Sequence, residues 1–446
     1  MSSDIATLIK SIQYPTEFVE LIKYKLNNED PTLAFRDINN CPPKDDEKYI
    51  DFMNYYLLGL TSRSFARVIQ ELTPELKDVV CVFYLVLRGL DTIEDDMTIE
   101  VNKKINLLKN FHTYNYQKGW TFTESGPNEK DRVLLEQYDV VIEKFLQLDP
   151  KYQTIIDDIC QKMGEGMSEF CKNDKPSTIE NYYLYTYYVA GLVGLGLSRI
   201  FSASGLEDPS VAEKTELADS MGRFLQKTNI IRDFLEDYED GRKFWPDEVW
   251  KKFNPEDTEN DIGILLKEKY KGCAMATLNY LCIDAFQHVI DVLEYLSSLK
   301  DQTIFNFCAI PQLMAISSLA LIFNNPEIFK TKGVKTRKGE AVTIMRNNPD
   351  ISSTTITFLE YIAIIKKKAE VLKYLPLEKE NYKKLDEYIK QINVWTEKNA
   401  DRLKLEEKNR EVQKRDSMAE FFVSCTMFVI VSIVATIVYK YILQFH

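Results

Sequence analysis

Two acidic motifs of one form, Asp-x-x-Glu-Asp, constrain the fold of this chain more than any other feature. The first is Asp91-Thr-Ile-Glu94-Asp95 and the second is Asp233-Phe-Leu-Glu236-Asp237. Residues three and four positions apart share a helix face, so each motif directs three carboxylates to one side of a helix. Grouped like charges are unfavourable without a cation, and carboxylate oxygens suit Mg²⁺, which usually completes its shell with waters and substrate phosphates. The motifs therefore predict a magnesium site for a diphosphate substrate.

A solvated acidic face is the alternative explanation for each motif. Apolar residues precede both motifs, as in Leu85-Val-Leu87 and Asn229-Ile-Ile231, so neither helix is polar on all sides. Asn229, Asp233 and Asp237 are also spaced i, i+4 and i+8 on one face. If motifs so far apart in sequence share metal ions, one helical domain must close around a cavity.

The hydrophobic pattern predicts an all-α fold. Amphipathic stretches have helical periodicity at residues 48–71, 74–97, 132–147, 209–238 and 351–371, whereas strand signals are poor. No linker rich in Pro, Gly or Ser divides the chain before residue 400, so we expect a single catalytic domain over residues 1–400.

Composition limits the classes of function. The net charge is −12, from 56 basic and 68 acidic residues, so the sequence has no general nucleic-acid footprint and no nucleic-acid partner is expected. Eight scattered cysteines without a Cys-x-x-Cys pair indicate free thiols. With only three histidines, a His-rich zinc site is not expected, and His288 is interpreted as a core residue.

The C-terminal end predicts a membrane anchor. Phe421 to Tyr439 is free of charged residues and would be about 28 Å long as a helix, close to the hydrocarbon thickness of a bilayer. Lys and Arg are frequent just before this segment and only Lys440 follows it, so the positive-inside rule places the large domain in the cytosol. We expect a juxtamembrane segment at 401–420 and an anchor at 421–443, with a buried core helix as the alternative.

A second charge-free stretch, Gln302–Asn325, is expected to be a core helix. It contains Pro311, Gln312 and several other polar residues that disfavour a membrane span. These groups, together with Phe305 and Phe307, predict a helix that forms one wall of an apolar cavity.

Basic and tyrosine clusters accompany the acidic motifs. Arg63 lies in a hydroxyl-rich segment, Arg88 precedes Asp91 by three residues, and Arg232 is adjacent to Asp233; the planar guanidinium suits phosphate oxygens. The basic loop 330–339 indicates either a solvated loop or recognition of a phosphorylated cofactor, which would bind outside a Rossmann fold. Five tyrosines between residues 182 and 188 are candidates for stabilising a cation or exchanging a proton, and the spacing does not choose among them.

Six segments, in this order along the chain, resemble the squalene synthase family, the farnesyl-diphosphate farnesyltransferases of sterol synthesis. The segments are Thr61 to Phe65, Tyr84 to Asp96, Tyr188 to Gly194, Gln226 to Asp233, Phe305 to Gln312 and Val334 to Gly339. The resemblance implies an isoprenoid-synthase helical bundle around a central cavity. It also implies a two-step reaction, in which two farnesyl diphosphates form presqualene diphosphate and NADPH then drives its reductive rearrangement to squalene.

The resemblance further implies roles for individual residues. The implied metal ligands are Asp91, Glu94, Asp95, Asp233 and Asp237. Tyr185 is the implied catalytic tyrosine of the first step, and Phe307 would line the cavity and shield cations from water. The residues implied to bind NADPH and phosphates are Arg63, Arg88, Arg232, Lys335 and Arg337. The implied cofactors are Mg²⁺ and NADPH, and the implied location is the endoplasmic reticulum membrane with the catalytic domain facing the cytosol.

Two alternatives to this function are considered. A phytoene or dehydrosqualene synthase would share the fold and the first step without needing NADPH, but the basic loop and the membrane tail favour squalene synthesis. A tail-anchored scaffold without catalysis would have no physical need for two intact carboxylate motifs on buried helices. Lys332 lengthens the loop before Lys335 by one residue relative to the family pattern. The number of metal ions and the oligomeric state are not predicted.

Overall fold

The structure is a computed structural model that describes residues 11–27, 30–171, 176–254 and 260–443; for Arg63 and residues 428–443 it describes the backbone alone. Within these ranges the chain forms helices and no strands, which confirms the predicted all-α class. The helices are α1 (Pro15–Asn27), α2 (Tyr49–Thr61), α3 (Arg63–Gln70), α4 (Pro74–Asp95), α5 (Val101–Tyr114), α6 (Arg132–Glu136), α7 (Tyr138–Gln147), α8 (Pro150–Phe170), α9 (Ile179–Thr186), α10 (Leu192–Ser204), α11 (Thr215–Arg232), α12 (Phe234–Glu239), α13 (Asp247–Phe253), α14 (Lys271–Phe286), α15 (Val289–Ser297), α16 (Gln302–Ile322), α17 (Lys338–Asn347), α18 (Ile351–Ala369), α19 (Lys379–Asn399) and α20 (Leu405–Leu443).

The chain divides into two compact units. Of the described residues, those within 30–334 and 361–395 form the major unit, and those within 1–29, 335–360 and 396–446 form the minor unit. The domain boundaries at residues 400 and 420 that were expected from the sequence stay predictions.

In the minor unit, α1 packs against α17 and α20. The carboxylate of Glu20 on α1 accepts a hydrogen bond from Arg346 on α17 at 2.8 Å, which links the two helices. It also accepts a hydrogen bond from Lys23 on its own helix at 2.7 Å. The predicted anchor, 421–443, lies within the single continuous helix α20. Phe421, at its start, is 71% exposed.

In the major unit, the two acidic motifs are carried by core helices. Helix α4 begins with Pro74 in its first turn, where the missing N–H of proline costs nothing, and packs against α2, α5, α7, α8 and α10. Helix α11 packs against α10, α14, α15 and α16. The first motif occupies the last turn of α4, and the second begins where α11 ends. Core packing therefore fixes both motifs.

A π-helical turn, Tyr187–Gly191, joins α9 to α10 and packs against α11. An added Cβ at Gly194 or Gly222 would overlap the backbone carbonyl of Ala218 or Ala190, so glycine is required for this close approach. Single-turn π segments often occur at functional sites, and this one follows Tyr185 by two residues.

Two described helical stretches, Ile179–Ser204 and Gln302–Ile322, are long and apolar enough to cross a membrane. Their most apolar windows are 61% and 72% buried inside the protein. This burial agrees with the interpretation of Gln302–Asn325 as a core helix.

The helix that carries the second motif is interrupted at one residue, Asp233, whereas the sequence pattern predicted a continuous helix over 209–238. Asp233 has φ −95° and ψ 11°, between the end of α11 and the start of α12. The carbonyl of Ile230, which would accept from the N–H of residue 234 in an uninterrupted helix, accepts from the indole Nε1 of Trp245 at 3.1 Å. Phe234 is buried against the same indole, with ring centroids 4.4 Å apart. Tertiary packing therefore reorients the helix at Asp233.

We expect Trp245→Phe to lower the free energy of unfolding by about 1–3 kcal/mol, because the buried Ile230 carbonyl loses its indole donor. Urea denaturation measures this change. Trp250→Phe is the matched control, since its indole bonds the part-buried carboxylate of Asp247, which can bond water instead. A larger loss for Trp250→Phe would contradict the role assigned to Trp245.

Candidate active site

One cavity of about 580 Å³ lies within the major unit and brings both acidic motifs together. One part of its wall carries charged and polar side chains: Arg88, Asp91, Glu94, Asp95, Tyr185, Asn229, Arg232, Asp233, Asp237 and Arg242. Much of the rest is apolar, with side chains from α4, α10, α11 and α16. The cavity therefore has a charged part that suits a diphosphate and an apolar part that suits a hydrocarbon chain.

The first motif places three carboxylates in the cavity wall, and burial changes their protonation. Burial raises the pKa of Asp91 to about 7, against the opposing effect of Arg88, and Asp95 adds repulsion. Burial also raises the pKa of Glu94 well above its usual value, with Asp95 and Asp91 as further causes. The adjacent Asp96 has a structural role instead, since it accepts hydrogen bonds from Thr98 and from the backbone N–H of Gly126.

The second motif contributes two of its three carboxylates. The Asp233 carboxylate accepts two hydrogen bonds from the guanidinium of Arg232, from Nη2 at 2.5 Å and from Nε at 2.9 Å. Burial raises the pKa of Asp237 to about 7, with Arg242 opposing the change and Asp233 and Asp95 adding to it. Glu236 does not line the cavity and accepts a hydrogen bond from Lys130 at 2.5 Å.

Arg242, which the sequence analysis missed, joins the two motifs. One guanidinium nitrogen lies 3.2 Å from Asp95 Oδ1, and the other lies 3.0 Å from Asp237 Oδ1. Its backbone N–H donates to the carbonyl of Asp237 at 2.8 Å, which folds the turn containing Gly241 back onto the motif. Helical periodicity does not indicate the position of a residue outside the helices. The one sequence feature that could have indicated Arg242 is its basic character five positions after Asp237.

We expect Arg242→Gln to lower the free energy of unfolding by about 1–2 kcal/mol in EDTA at about pH 8, because Asp95 and Asp237 then repel without an intervening cation. Magnesium chloride should recover most of the loss, as urea denaturation with and without the salt would measure. Lys243→Gln is the matched control, since Lys243 pairs with Asp261 at 2.9 Å. An equal magnesium effect in both variants would refute the bridging role.

The residues present fit a magnesium ion that enters together with a diphosphate. Among the described residues, no group of three Asp, Glu, His or Cys side chains is arranged to hold a metal ion unaided. Mg²⁺ commonly uses one or two carboxylates together with substrate phosphates and waters, so a preformed protein cage is not needed. The pKa values of Asp91, Glu94 and Asp237 are raised chiefly by burial, and repulsion from neighbouring carboxylates adds to each shift; a bound cation would relieve both costs.

Two of the predicted phosphate-binding arginines line the cavity. The Arg88 side chain lies 3.3 Å from Tyr84 Oη, 3.4 Å from Asp131 and 3.9 Å from Asp91. Arg232 pairs with Asp233 as described above. Arg63 begins α3, which Ser62 caps by accepting from the N–H of Phe65 at 3.3 Å, and the Arg63 side chain lies outside the described atoms.

Tyr185 is the only one of the five clustered tyrosines that lines the cavity. Its hydroxyl lies 3.5 Å from Glu94 Oε2, and its ring stacks on Phe244 with centroids 5.4 Å apart. Burial raises its pKa well above the usual value, with the charges of Glu94, Asp95 and Asp91 as further causes. Tyr185 therefore presents a protonated hydroxyl to the carboxylates.

The other four tyrosines have separate surroundings. Tyr182 is fully buried, and Tyr183 donates a hydrogen bond to Asp284. The rings of Tyr187 and Tyr188 lie together on the π-helical turn, with centroids 5.8 Å apart. None of them lines the cavity.

Helix α16 forms part of the apolar wall. Phe307 packs edge-on against Phe201 with centroids 6.0 Å apart, and both rings line the cavity with Cys308 and Pro311. Gln312 donates to the backbone carbonyl of Met221 at 2.9 Å, which fixes α16 to α11. Phe305 is buried but does not line the cavity.

Lys335 and Arg337 belong to the minor unit, while the cavity lies in the major unit. Arg337 pairs with Glu17 at 2.6 Å and Glu340 at 2.9 Å, and its guanidinium lies 4.1 Å from the ring centre of Tyr14. Lys332, the inserted residue of the basic loop, lies in the major unit and pairs with Glu239 at 2.6 Å.

Two acidic helical motifs that face one cavity, with apolar walls beside them, define a prenyl-diphosphate synthase of the all-α type. The squalene/phytoene synthase family model matches residues 58–340. The chain therefore belongs to the squalene/phytoene synthase family.

Relatives similar to this chain include squalene synthases from two organisms. The chain is 47% identical to the squalene synthase of Rattus norvegicus over 356 residues, which is 79% of this chain and 82% of the relative. It is 46% identical to the squalene synthase of Schizosaccharomyces pombe over 347 residues, 76% of this chain and 72% of the relative. The solved structure of TcSQS with the ligand E5700 is 39% identical and superposes with a TM-score of 0.70, covering 76% of this chain and 98% of that one.

Proposed function

We propose that this enzyme condenses two farnesyl diphosphates to presqualene diphosphate and then reduces that intermediate to squalene with NADPH. The single observation that carries the proposal is a cavity whose charged part contains both acidic motifs and whose remaining walls are largely apolar. The relatives of the chain, at 47% identity over 79% of its length, support the same reaction.

Diphosphate binding is assigned to the charged part of the cavity. Asp91, Glu94, Asp95, Asp233 and Asp237 are the proposed ligands of Mg²⁺, which when bound neutralises charge on the leaving diphosphate. Arg88 and Arg232 supply fork-shaped donors for phosphate oxygens. Arg242 would transfer part of its hydrogen bonding from Asp95 and Asp237 to the diphosphate.

Tyr185 is the proposed proton-transfer group of the first step. Formation of the cyclopropane ring releases a proton from the condensed cation, and the departed diphosphate is a base near that carbon. The Tyr185 hydroxyl lies at the carboxylates that would hold the diphosphate, so it can pass this proton to a phosphate oxygen. Its raised pKa keeps it protonated before reaction, which suits a relay of one proton in and one proton out.

The apolar wall protects the cationic intermediates. Phe307 and Phe201 exclude water from the reacting carbons, and their ring faces attract positive charge. Without such a wall, water would capture the cation as an alcohol.

The reductive step needs NADPH, which would donate a hydride to the intermediate. We assign its phosphates to Arg63, Arg88, Arg232, Lys335 and Arg337. The observed partners of Arg337, two carboxylates and a tyrosine ring, match the anionic and aromatic groups of a dinucleotide.

We further propose that 421–443 anchors the enzyme in the endoplasmic reticulum membrane with its catalytic domain in the cytosol. The exposed apolar side chains of Phe421, Phe422 and Met427 at the start of this segment support that proposal.

The decisive experiment incubates the full chain in detergent with farnesyl diphosphate and Mg²⁺, with and without NADPH, and identifies the products by mass spectrometry. Squalene with NADPH and presqualene diphosphate without it are expected. Dehydrosqualene or phytoene formed regardless of NADPH would instead identify a synthase without reduction. The absence of any diphosphate release would favour a non-catalytic scaffold.

A further inference from the structure

A short loop of the major unit presents apolar side chains to solvent. The 371–377 loop connects α18 to α19 through two tight turns, and its sequence is Val-Leu-Lys-Tyr-Leu-Pro-Leu. Tyr374 is 74% exposed, and Val371, Leu375 and Leu377 are also exposed. Ile364, on the last turns of α18, adds a further exposed apolar side chain.

The loop is held in place from below. Leu372 is fully buried, and so is Glu378, directly after the loop. The Glu378 carboxylate accepts hydrogen bonds from Asn279 at 2.8 Å and from Asn381 at 2.7 Å. Because these buried contacts fix both turns, the exposed side chains are displayed by a defined loop, and their exposure is a property of the fold.

Basic side chains flank the apolar ones in sequence, although the chain as a whole has a net charge of −12. The exposed lysines on the flanking turns of α18 and α19 are Lys366, Lys367, Lys379 and Lys383. Leu377 also lies near Gly272 at the start of α14, beside the exposed Lys271. The exposed acidic residues nearest in sequence are paired: Glu370 with Lys373 at 2.7 Å, and Glu380 with Lys252 at 2.9 Å.

A fixed loop with one aromatic and three aliphatic exposed side chains, flanked by exposed lysines, fits the interface of an anionic bilayer. Tyrosine and leucine enter the boundary between headgroups and acyl chains, while lysines bind lipid phosphates and keep their charge in water. A second copy of the chain fits poorly, because two lysine-flanked loops would repel, and a seven-residue loop is small beside the roughly 1,000 Å² that a stable interface needs.

We propose that the 371–377 loop is a lipid-binding contact of the major unit, which inserts Tyr374, Leu375 and Leu377 into the headgroup region of an anionic membrane. This contact is separate from the C-terminal anchor, and it does not depend on the catalytic assignment. Its contribution is to hold the major unit against the bilayer surface.

Hydrogen–deuterium exchange of the full chain tests this contact. The chain is reconstituted in nanodiscs of phosphatidylcholine alone and in nanodiscs that also contain phosphatidylserine. We expect peptides covering 370–378 to exchange about three- to tenfold more slowly with phosphatidylserine present, and high salt should remove most of the difference. Equal exchange in both discs and at both salt concentrations would overturn the proposal.

Two variants separate the loop from the anchor. Tyr374→Ser with Leu377→Ser removes the apolar tips and should abolish the lipid-dependent protection. Val394→Ser is the matched control, because Val394 is 64% exposed on α19, outside the loop, and should leave the protection unchanged. Protection that persists in the double variant, or that grows with protein concentration in lipid-free amphipol, would overturn the proposal in favour of the anchor alone or of a contact between copies.

Discussion

Tyr185→Phe should lower the rate of presqualene diphosphate formation by about 10²–10⁴-fold, the usual contribution of a positioned proton-transfer group. Only the hydroxyl is removed, so the ring keeps its stacking on Phe244 and its edge contact with Phe170. The fold should therefore be preserved. Single-turnover assays with labelled farnesyl diphosphate and Mg²⁺, without NADPH, isolate this step.

Tyr188→Phe is the matched control, since it removes a hydroxyl from the same cluster but outside the cavity. We expect it to change the rate by less than about threefold, as surface and boundary substitutions usually do. A Tyr185→Phe variant with an undiminished rate would show that another group transfers the proton. A variant that loses only farnesyl diphosphate affinity, measured by equilibrium binding, would assign Tyr185 to binding instead.

Much of the fold was predictable because it depends on helical periodicity. The stretches 74–97 and 351–371 correspond closely to Pro74–Asp95 and Ile351–Ala369. Three other predicted stretches are each broken, at or near residues 62, 137 and 233. The breaks depend on contacts that periodicity does not encode, such as the Ser62 cap and the Trp245 indole on the Ile230 carbonyl.

The candidate site was predictable as far as its residues lie on helices. Motif spacing indicated that the carboxylates of Asp91 and Asp237 serve one cavity, and the structure places both in its wall. Arg242 and Phe244 were missed because they lie in the irregular segment that follows α12, where position depends on tertiary packing. The spacing of the five tyrosines could not select Tyr185, because the selection depends on which ring faces the carboxylates. Lys335 and Arg337 stay predictions as cofactor ligands.

Asp91→Asn should have opposite effects on activity and stability. The carboxylate is a proposed magnesium ligand, so its loss removes several kcal/mol of transition-state stabilisation, about 10³-fold in rate. In the metal-free enzyme, however, the same carboxylate is unfavourable, because burial raises its pKa to about 7. A neutral asparagine removes that cost. Such a trade-off between activity and stability is typical of active sites.

The pH dependence follows from the sign of the shift. A carboxyl whose pKa is raised by folding stabilises the folded state fully below its unfolded pKa, and that stability is lost as pH rises through the folded value near 7. The Asp91 side chain is 34% exposed to the cavity, so water screens part of the effect. We therefore expect Asp91→Asn to be more stable than the parent by about 1–2 kcal/mol at about pH 8 in EDTA, and to keep only part of this advantage near pH 5.

Asp96→Asn is the control with the opposite sign. The Asp96 carboxylate, close to Asp91 in sequence, accepts hydrogen bonds from Thr98 and from the backbone N–H of Gly126. These bonds hold the pKa of Asp96 below its usual value, although burial opposes them. Such a group stabilises the fold above its unfolded pKa, so the amide should lower stability at both pH values. Urea denaturation of both variants in EDTA, and again with magnesium chloride and inorganic diphosphate, measures the contrast. Magnesium with diphosphate should stabilise the parent at about pH 8 and not Asp91→Asn, because only the parent keeps the full carboxylate set. If Asp91→Asn is destabilised at about pH 8, the carboxylate is held by favourable contacts and the first motif is not a strained metal site.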